Sequence, residues 1–207
     1  MNFDSKHHWE KVYQEKEPTQ ASWYQIDPVL SLDLIALTGV GRMERIIDIG
    51  GGASVLVDKL LNKGFKDVTV LDISAKAIQY ARERLGKPAE EVTWIEEDIT
   101  QFNPSHQYDL WHDRAVFHFL TNPLDRKKYI EVMQDAVKSK GYAIIATFAL
   151  EGPPKCSGLN VERYNPKKLI QEVGIFFELI KSVEETHRTP WQSEQKFVYC
   201  VFKKQAG

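Results

Sequence analysis

Apolar and polar positions alternate along this chain in two rhythms, one helical and one of strands. Residues 5–16 place Trp9, Val12 and Tyr13 on one side of a short amphipathic helix, and Pro18 ends it. A connector over 21–28 carries Trp23, Tyr24 and Ile26, and residues 28–38 read as a second helix closed by Gly39. From there short β-branched runs take turns with helical segments. Strands are expected at 46–49, 67–72, 91–95, 108–112 and 141–150. Helices are expected at 54–63, ended by Gly64, at 74–85 with Ser74 as its cap, at 122–138, and at 166–173 with Asn165 as its cap. The run 141–150, GYAIIATFAL, is apolar throughout, as a central strand should be. Two last strands, 175–186 and 195–203, are joined across Thr189-Pro190-Trp191 and are close enough to pair as an antiparallel hairpin. Alternation of this kind implies a mostly parallel sheet with helices on both faces.

The first strand leads into the most informative stretch, Ile46-Ile47-Asp48-Ile49-Gly50-Gly51-Gly52-Ala53-Ser54. A strand that breaks through glycines into a helix start makes a nucleotide seat, because a ligand can lie against backbone that has no Cβ. Two cofactor classes use such an opening. A dinucleotide site wants a third glycine, G-x-G-x-x-G, and here Gly50 and Gly52 match but the third position is Val55. Asp72 ends the second strand, 22 residues after Gly50, where an acid can accept from both ribose hydroxyls. The plainer reading of Asp72 is a cap on the helix that follows. Glu96-Glu97-Asp98-Ile99 follows the third strand, where a carboxylate can accept from an adenine amine and the next backbone N–H can reach a ring nitrogen. The plainer reading there is a solvated acidic loop.

Composition narrows the field without naming a substrate. The 207 residues are 43% hydrophobic and 27% charged, with a formal net charge of −2. That is enough chain for one substantial core, and no global basic field points to nucleic acid. The two cysteines, Cys156 and Cys200, are far apart in sequence, which suggests neither a disulfide framework nor a metal site and fits a cytoplasmic protein. The polar N-terminus lacks an apolar signal core, and no window approaches the ~18 apolar residues of a membrane span. One domain over 1–207 is the simplest organisation, with 1–40 a helical lid and 41–207 the core. A monomer or weak homodimer is expected.

The pieces IIDIGGGAS, VTVLDIS, EEDIT and YDLWHDRAVFHFL, with the closing hairpin ETHRTPWQSEQKFVYCVF, resemble the class I S-adenosylmethionine-dependent methyltransferases over residues 44–203. The resemblance implies a Rossmann-like, seven-stranded, mostly parallel sheet in the order 3-2-1-4-5-7-6, with strand seven antiparallel. It implies S-adenosylmethionine as cofactor. Its methionine end would meet Gly50, Gly51 and Gly52 with Asp48 beside them, its ribose Asp72 and Ile73, and its adenine Asp98 and the Ile99 backbone. Ser54 stands where many members have glycine.

In that family the end of strand four faces the methyl group and the acceptor. His112 and Asp113 are therefore the candidates for orienting or deprotonating a nucleophile. Strand alternation puts them on opposite faces, and Asp113 is preferred. An N-cap or an ion pair with Arg114 is the plainer role for Asp113. Arg114, His118 and Cys156 are candidate substrate contacts, although His118 in VFHFL suits a core histidine and Cys156 a plain loop cysteine. Trp23 is the aromatic residue expected to face the cofactor, and the loop 151–163 is expected to form a second substrate wall. The reaction needs mainly positioning, so a missing catalytic dyad does not count against an enzyme. A small-molecule acceptor is preferred to a protein side chain such as lysine. A nicotinamide-dependent oxidoreductase and a non-catalytic cofactor-binding module remain as alternatives.

Overall fold

The computed structural model describes residues 4–206; residues 1–3 and 207 of the expected 1–207 domain lie outside the described residues. Two helices, α1 (Ser5–Glu15) and α2 (Val29–Thr38), precede the sheet. Then come β1 (Arg45–Ile49), α3 (Leu56–Asn62), β2 (Asp67–Asp72), α4 (Ala75–Leu85), β3 (Val92–Glu96) and β4 (Tyr108–Arg114). They are followed by α5 (Pro123–Ala136), β5 (Val137–Phe148), a small pair β6 (Lys155–Cys156) and β7 (Leu159–Asn160), α6 (Pro166–Val173), β8 (Phe177–Arg188) and β9 (Glu194–Lys204).

The main sheet runs β3-β2-β1-β4-β5-β9-β8. With the two-residue pair set aside this is the expected 3-2-1-4-5-7-6 order. The pairs β1–β2, β1–β4, β2–β3 and β4–β5 are parallel, and β9 is antiparallel to both β5 and β8. Helices cover both faces, which gives two apolar layers. Ile47, Trp111, Ala143 and Ile145 pack in one, and Ile46, Leu110, Ile144 and Ala146 in the other. Burial on both sides explains why the inner strands are nearly continuous hydrophobic runs. Among the described residues no helix is long and apolar enough to cross a membrane.

Local chemistry sets most boundaries. Ser74 caps α4 by accepting from the Ala77 N–H at 3.1 Å, Asn122 caps α5 at Leu124, and Asn165 caps α6 at Lys168. Gly39 closes α2 in the left-handed region, with φ 75°. Several boundaries differ from the sequence reading, among them β5, which runs from Val137 to Phe148 rather than over 141–150. Helix α3 starts at Leu56 rather than 54, because the Ser54 hydroxyl accepts from the Leu56 N–H at 3.1 Å inside the turn and Val55 takes the cap position. Strand β4 runs two residues further, to Arg114, since β5 pairs with it as far as Ala146. The segment after β5 begins at Ala149, two residues earlier than expected, and holds the β6–β7 hairpin.

Candidate functional site

The glycine turn leaves β1 between the ends of β2 and β4. Gly50 has φ 66°, donates to the Leu71 carbonyl at 2.7 Å, and leaves no room for a Cβ, which would lie 2.1 Å from Val116 Cγ2. The Gly52 N–H donates to Asp72 Oδ2 at 3.0 Å, and the Ser74 N–H donates to Oδ1 at 2.9 Å. Asp72 therefore joins the turn to the start of α4 and also faces the cavity beside it. Burial pushes its carboxyl up to about 6, against the two backbone bonds that favour the charged form. At the end of β3, Asp98 Oδ1 accepts from the backbone N–H and the hydroxyl of Thr100, each at 2.8 Å, and Ile99 beside it is buried.

These strand ends line a cavity of about 740 Å³, within the range of sites for molecules of cofactor size. Gly50, Asp72, Ile73, Asp98 and Ile99 line one part of it. Trp9, Tyr13, Trp23, Phe119, Cys156 and Leu159 line the other. The aromatic rings hold one another edge to face, with Trp9 centred 5.7 Å from Trp23 and 4.9 Å from Phe119. Helix α1 is held over the cavity by Glu10, whose carboxylate accepts from the Ala75 and Lys76 N–H groups at 2.6 and 3.3 Å. A carboxylate at a helix N-terminus is favourably placed against the helix dipole.

A second, smaller cavity of about 50 Å³ lies on the α2 side of the turn and touches Gly51, Ser31, Asp48, His112 and Arg114. Asp48 and His112 are register neighbours on β1 and β4, so their side chains share a face. Asp48 Oδ1 lies 2.7 Å from His112 Nδ1, and His112 Nε2 lies 3.0 Å from Ser31 Oγ. Arg114 donates to the Tyr199 hydroxyl at 2.7 Å and the Trp23 carbonyl at 3.0 Å, lies 3.6 Å from Glu185, and stacks 4.5 Å above Phe197. It borders both cavities.

Two expected site residues lie elsewhere. Asp113 faces the opposite side of the sheet from His112 and borders neither cavity. Its Oδ1 accepts from Val116 N–H at 2.8 Å, and its Oδ2 from Phe117 N–H at 3.0 Å and the Tyr129 hydroxyl at 2.6 Å. The geometry thus reverses the preference for Asp113 over His112, because the plainer capping role consumes both oxygens. His118 packs between Phe119 and Phe148 and its Nδ1 accepts from the Phe148 N–H at 3.2 Å; burial, reinforced by the Arg114 charge, takes its imidazole down to about 3. Cys156 does border the large cavity, but burial pushes its thiol up to about 11, which removes the thiolate a nucleophile needs. Ser31, Glu10, Tyr199 and Glu185 were absent from the sequence reading. Glu10, Ser31 and Tyr199 take partners 65, 81 and 85 positions away, and Glu185 meets Tyr199 across the β8–β9 pair.

Residues 46–141 match the family model described as a methyltransferase domain. This stretch, just under half of the chain, is similar to methyltransferase domains. Solved structures that share its fold include an S-adenosylmethionine-dependent methyltransferase from Anabaena variabilis, with a TM-score of 0.74, 14% identity, and coverage of 99% of this chain and 96% of that one. The chain is 30% identical over 99 residues, 48% of this chain and 14% of the relative, to mouse (Mus musculus) eEF1A lysine and N-terminal methyltransferase. It is 30% identical over 104 residues, 50% of this chain and 39% of the relative, to malonyl-[acyl-carrier protein] O-methyltransferase 2 of Ilyobacter polytropus. The chain thus spans well under half the length of these two relatives. The fold is that of the N-methyltransferase NodS from Bradyrhizobium japonicum in complex with S-adenosylhomocysteine, with a TM-score of 0.72, 16% identity, and coverage of 97% of this chain and 99% of that one.

The residues present fit this cofactor. The turn is a cradle that a Cβ would fill: one at Gly51 would lie 2.2 Å from Asp48 Oδ2. Asp48 Oδ2 is also a buried oxygen without a hydrogen-bond partner, suited to a donor from a ligand. Among the described residues no group of His, Cys, Asp and Glu is placed to hold a metal ion.

Proposed function

We propose that the protein transfers a methyl group from S-adenosylmethionine to a small acceptor. One observation carries this reading. A single cavity of about 740 Å³ joins the strand-end carboxylates Asp72 and Asp98 to the aromatic end at Trp9, Trp23 and Cys156. In it Asp72 would accept from the ribose hydroxyls, Asp98 and the Ile99 N–H would meet the adenine, and Gly50 would hold the methionine end, with Gly51 and Asp48 meeting it from the smaller cavity across the turn. Residues 1–40 would act as a lid on the core 41–207, since α1 and Trp23 wall the cavity. The bound cofactor supplies a methyl group on a sulfonium, already a good leaving group.

What the chain adds is position and exclusion of water. The groups at the acceptor end are poor bases: the Cys156 thiol is pushed up to about 11, burial pushes the Tyr13 hydroxyl up further, and Asp113 and His118 are walled off. An acceptor whose nucleophilic atom arrives without a proton to lose fits this end best. A deep, aromatic-walled cavity also suits a small molecule better than a side chain on a folded protein surface.

Calorimetry with S-adenosylhomocysteine tests the seat. Binding is expected in the micromolar range or tighter, and Asp72→Ala is expected to weaken it by tenfold or more, the scale of hydrogen bonds to a charged group. No binding at millimolar ligand would overturn the reading. A tritiated-methyl screen of metabolite and protein fractions tests the acceptor, and label appearing only in protein would replace the small molecule with a protein substrate.

A further inference from the structure

The chain Asp48–His112–Ser31 is among the most completely buried polar groupings in the molecule, with exposures of 2%, 2% and 1%. Its three members come from β1, β4 and α2. We propose that His112 is a positioning residue: its Nδ1–H holds one oxygen of Asp48 so that the other, Oδ2, faces the amino-acid end of the cofactor. The inference rests on the cofactor seat proposed above and assigns His112 a role in it.

For a neutral imidazole the hydrogen-bond inventory leaves one self-consistent arrangement. A carboxylate only accepts, so the 2.7 Å contact to Asp48 Oδ1 requires the proton on His112 Nδ1. Nε2 is then the accepting nitrogen, and the Ser31 hydroxyl 3.0 Å away donates to it. Each polar atom of the chain then has a partner except Asp48 Oδ2. An oxygen of a buried carboxylate left without a donor is costly, and a ligand that brings one is held for the same reason. Oδ2 lies against Gly51, at the spot where any side chain on that residue would collide with it. The carboxylate therefore has little room to turn, and His112 fixes which oxygen points outward.

The same three residue types form nucleophilic triads in hydrolases. That reading fails here on access. The cavity beside Ser31 is about 50 Å³ and Ser31 itself is 1% exposed, so no ester carbonyl reaches its hydroxyl; the same space, on which Asp48 and Gly51 also open, has room for a group the size of an ammonium. Ser31 acts instead at the far end of the chain. Sitting on α2, it selects the His112 tautomer and ties the N-terminal segment to the cofactor seat.

The experiment compares three proteins and two readouts. Calorimetry with S-adenosylhomocysteine is run on the wild type, on His112→Leu, which keeps bulk and loses the donor, and on His112→Asn, whose amide N–H replaces Nδ1–H. Thermal melts confirm that each is folded. The expectation is a loss of about tenfold or more for leucine, the scale of one hydrogen bond to a charged group, and affinity within threefold of wild type for asparagine. Nitrogen-15 spectra of the free wild type are expected to show His112 protonated on Nδ1. Leucine that binds as well as wild type, asparagine that binds no better than leucine, or a proton on Nε2 overturns the inference. If leucine does not fold, asparagine and the tautomer decide. A wild type that fails to bind the ligand overturns the proposed function and this inference with it, an outcome distinct from a loss confined to the variants.

Discussion

Asp113 holds three donors with two oxygens, and each of the three would be left unpaired inside the protein by its removal. Its carboxyl is pushed up to about 6 by burial, against the bonds from Tyr129, Val116 and Phe117. Asp113→Ala is expected to cost about 3 kcal/mol of stability, the scale of losing a buried network, and to leave the affinity of the folded fraction for S-adenosylhomocysteine near wild type. Urea titration and calorimetry on one preparation check both parts; a folded variant of full stability that fails to bind would return Asp113 to the site. His118 makes a pH prediction. Its folded value of about 3 lies below the unfolded 6.5, so the unfolded chain binds the proton first and stability is lost as pH falls from 6.5 towards 3. Asp72 and Asp113, both raised to about 6, act with the opposite sign, and they are common to wild type and variant. His118→Asn, which keeps an acceptor for the Phe148 N–H, is therefore expected to lose less melting temperature than wild type between pH 7.5 and pH 5. Equal losses in the two proteins would show that His118 takes up its proton in the fold.

Elements were legible where a boundary is made by local chemistry. Ser74, Asn122, Asn165 and Gly39 mark helix ends through bonds within a few residues, and such bonds are written into adjacent positions. Strand β4 was read short because Asp113-Arg114 is polar, and polarity at a strand end reads as a loop. Its burial comes from β1 and β5, whose contact no local pattern encodes. The lid helix is a middle case. Its aromatic side was visible, but its anchor was not, since Glu10 reaches 65 residues ahead to Ala75. Glu10→Ala should free α1 from α4 while leaving the sheet intact. The expected result is a several-fold weaker affinity for S-adenosylhomocysteine, a melting temperature within a few degrees of wild type, and a larger change in tryptophan fluorescence on binding, because Trp9 and Trp23 move from a loosened to a closed arrangement. Unchanged affinity would mean that α1 is packing rather than lid.

At the scale of the whole molecule, the sheet divides the labour. The carboxyl ends of β1 to β4 carry the glycine turn, Asp72, Asp98 and the two cavities, while β8 and α6 form the far edge. The order of strands was legible through the resemblance of the glycine turn, the following strand ends and the closing hairpin to a known family, and the observed order matches it. The meeting of residues across it was not, as with Ser31 and His112, 81 positions apart. The division gives the ligand a defined footprint. A ligand that seats at the strand ends and under α1 adds bonds there, and it slows local opening most where those bonds form. Hydrogen exchange with and without S-adenosylhomocysteine is therefore expected to show the largest added protection in 5–24, in the turn 50–56, and in 72–76 and 98–100. The edge strand β8, which borders neither cavity, is expected to change least. Uniform protection across 177–188 and the strand ends alike would mean that the ligand only suppresses global unfolding. A footprint centred on β8 and α6 would place the ligand on the wrong side of the molecule and overturn the assignment of the seat.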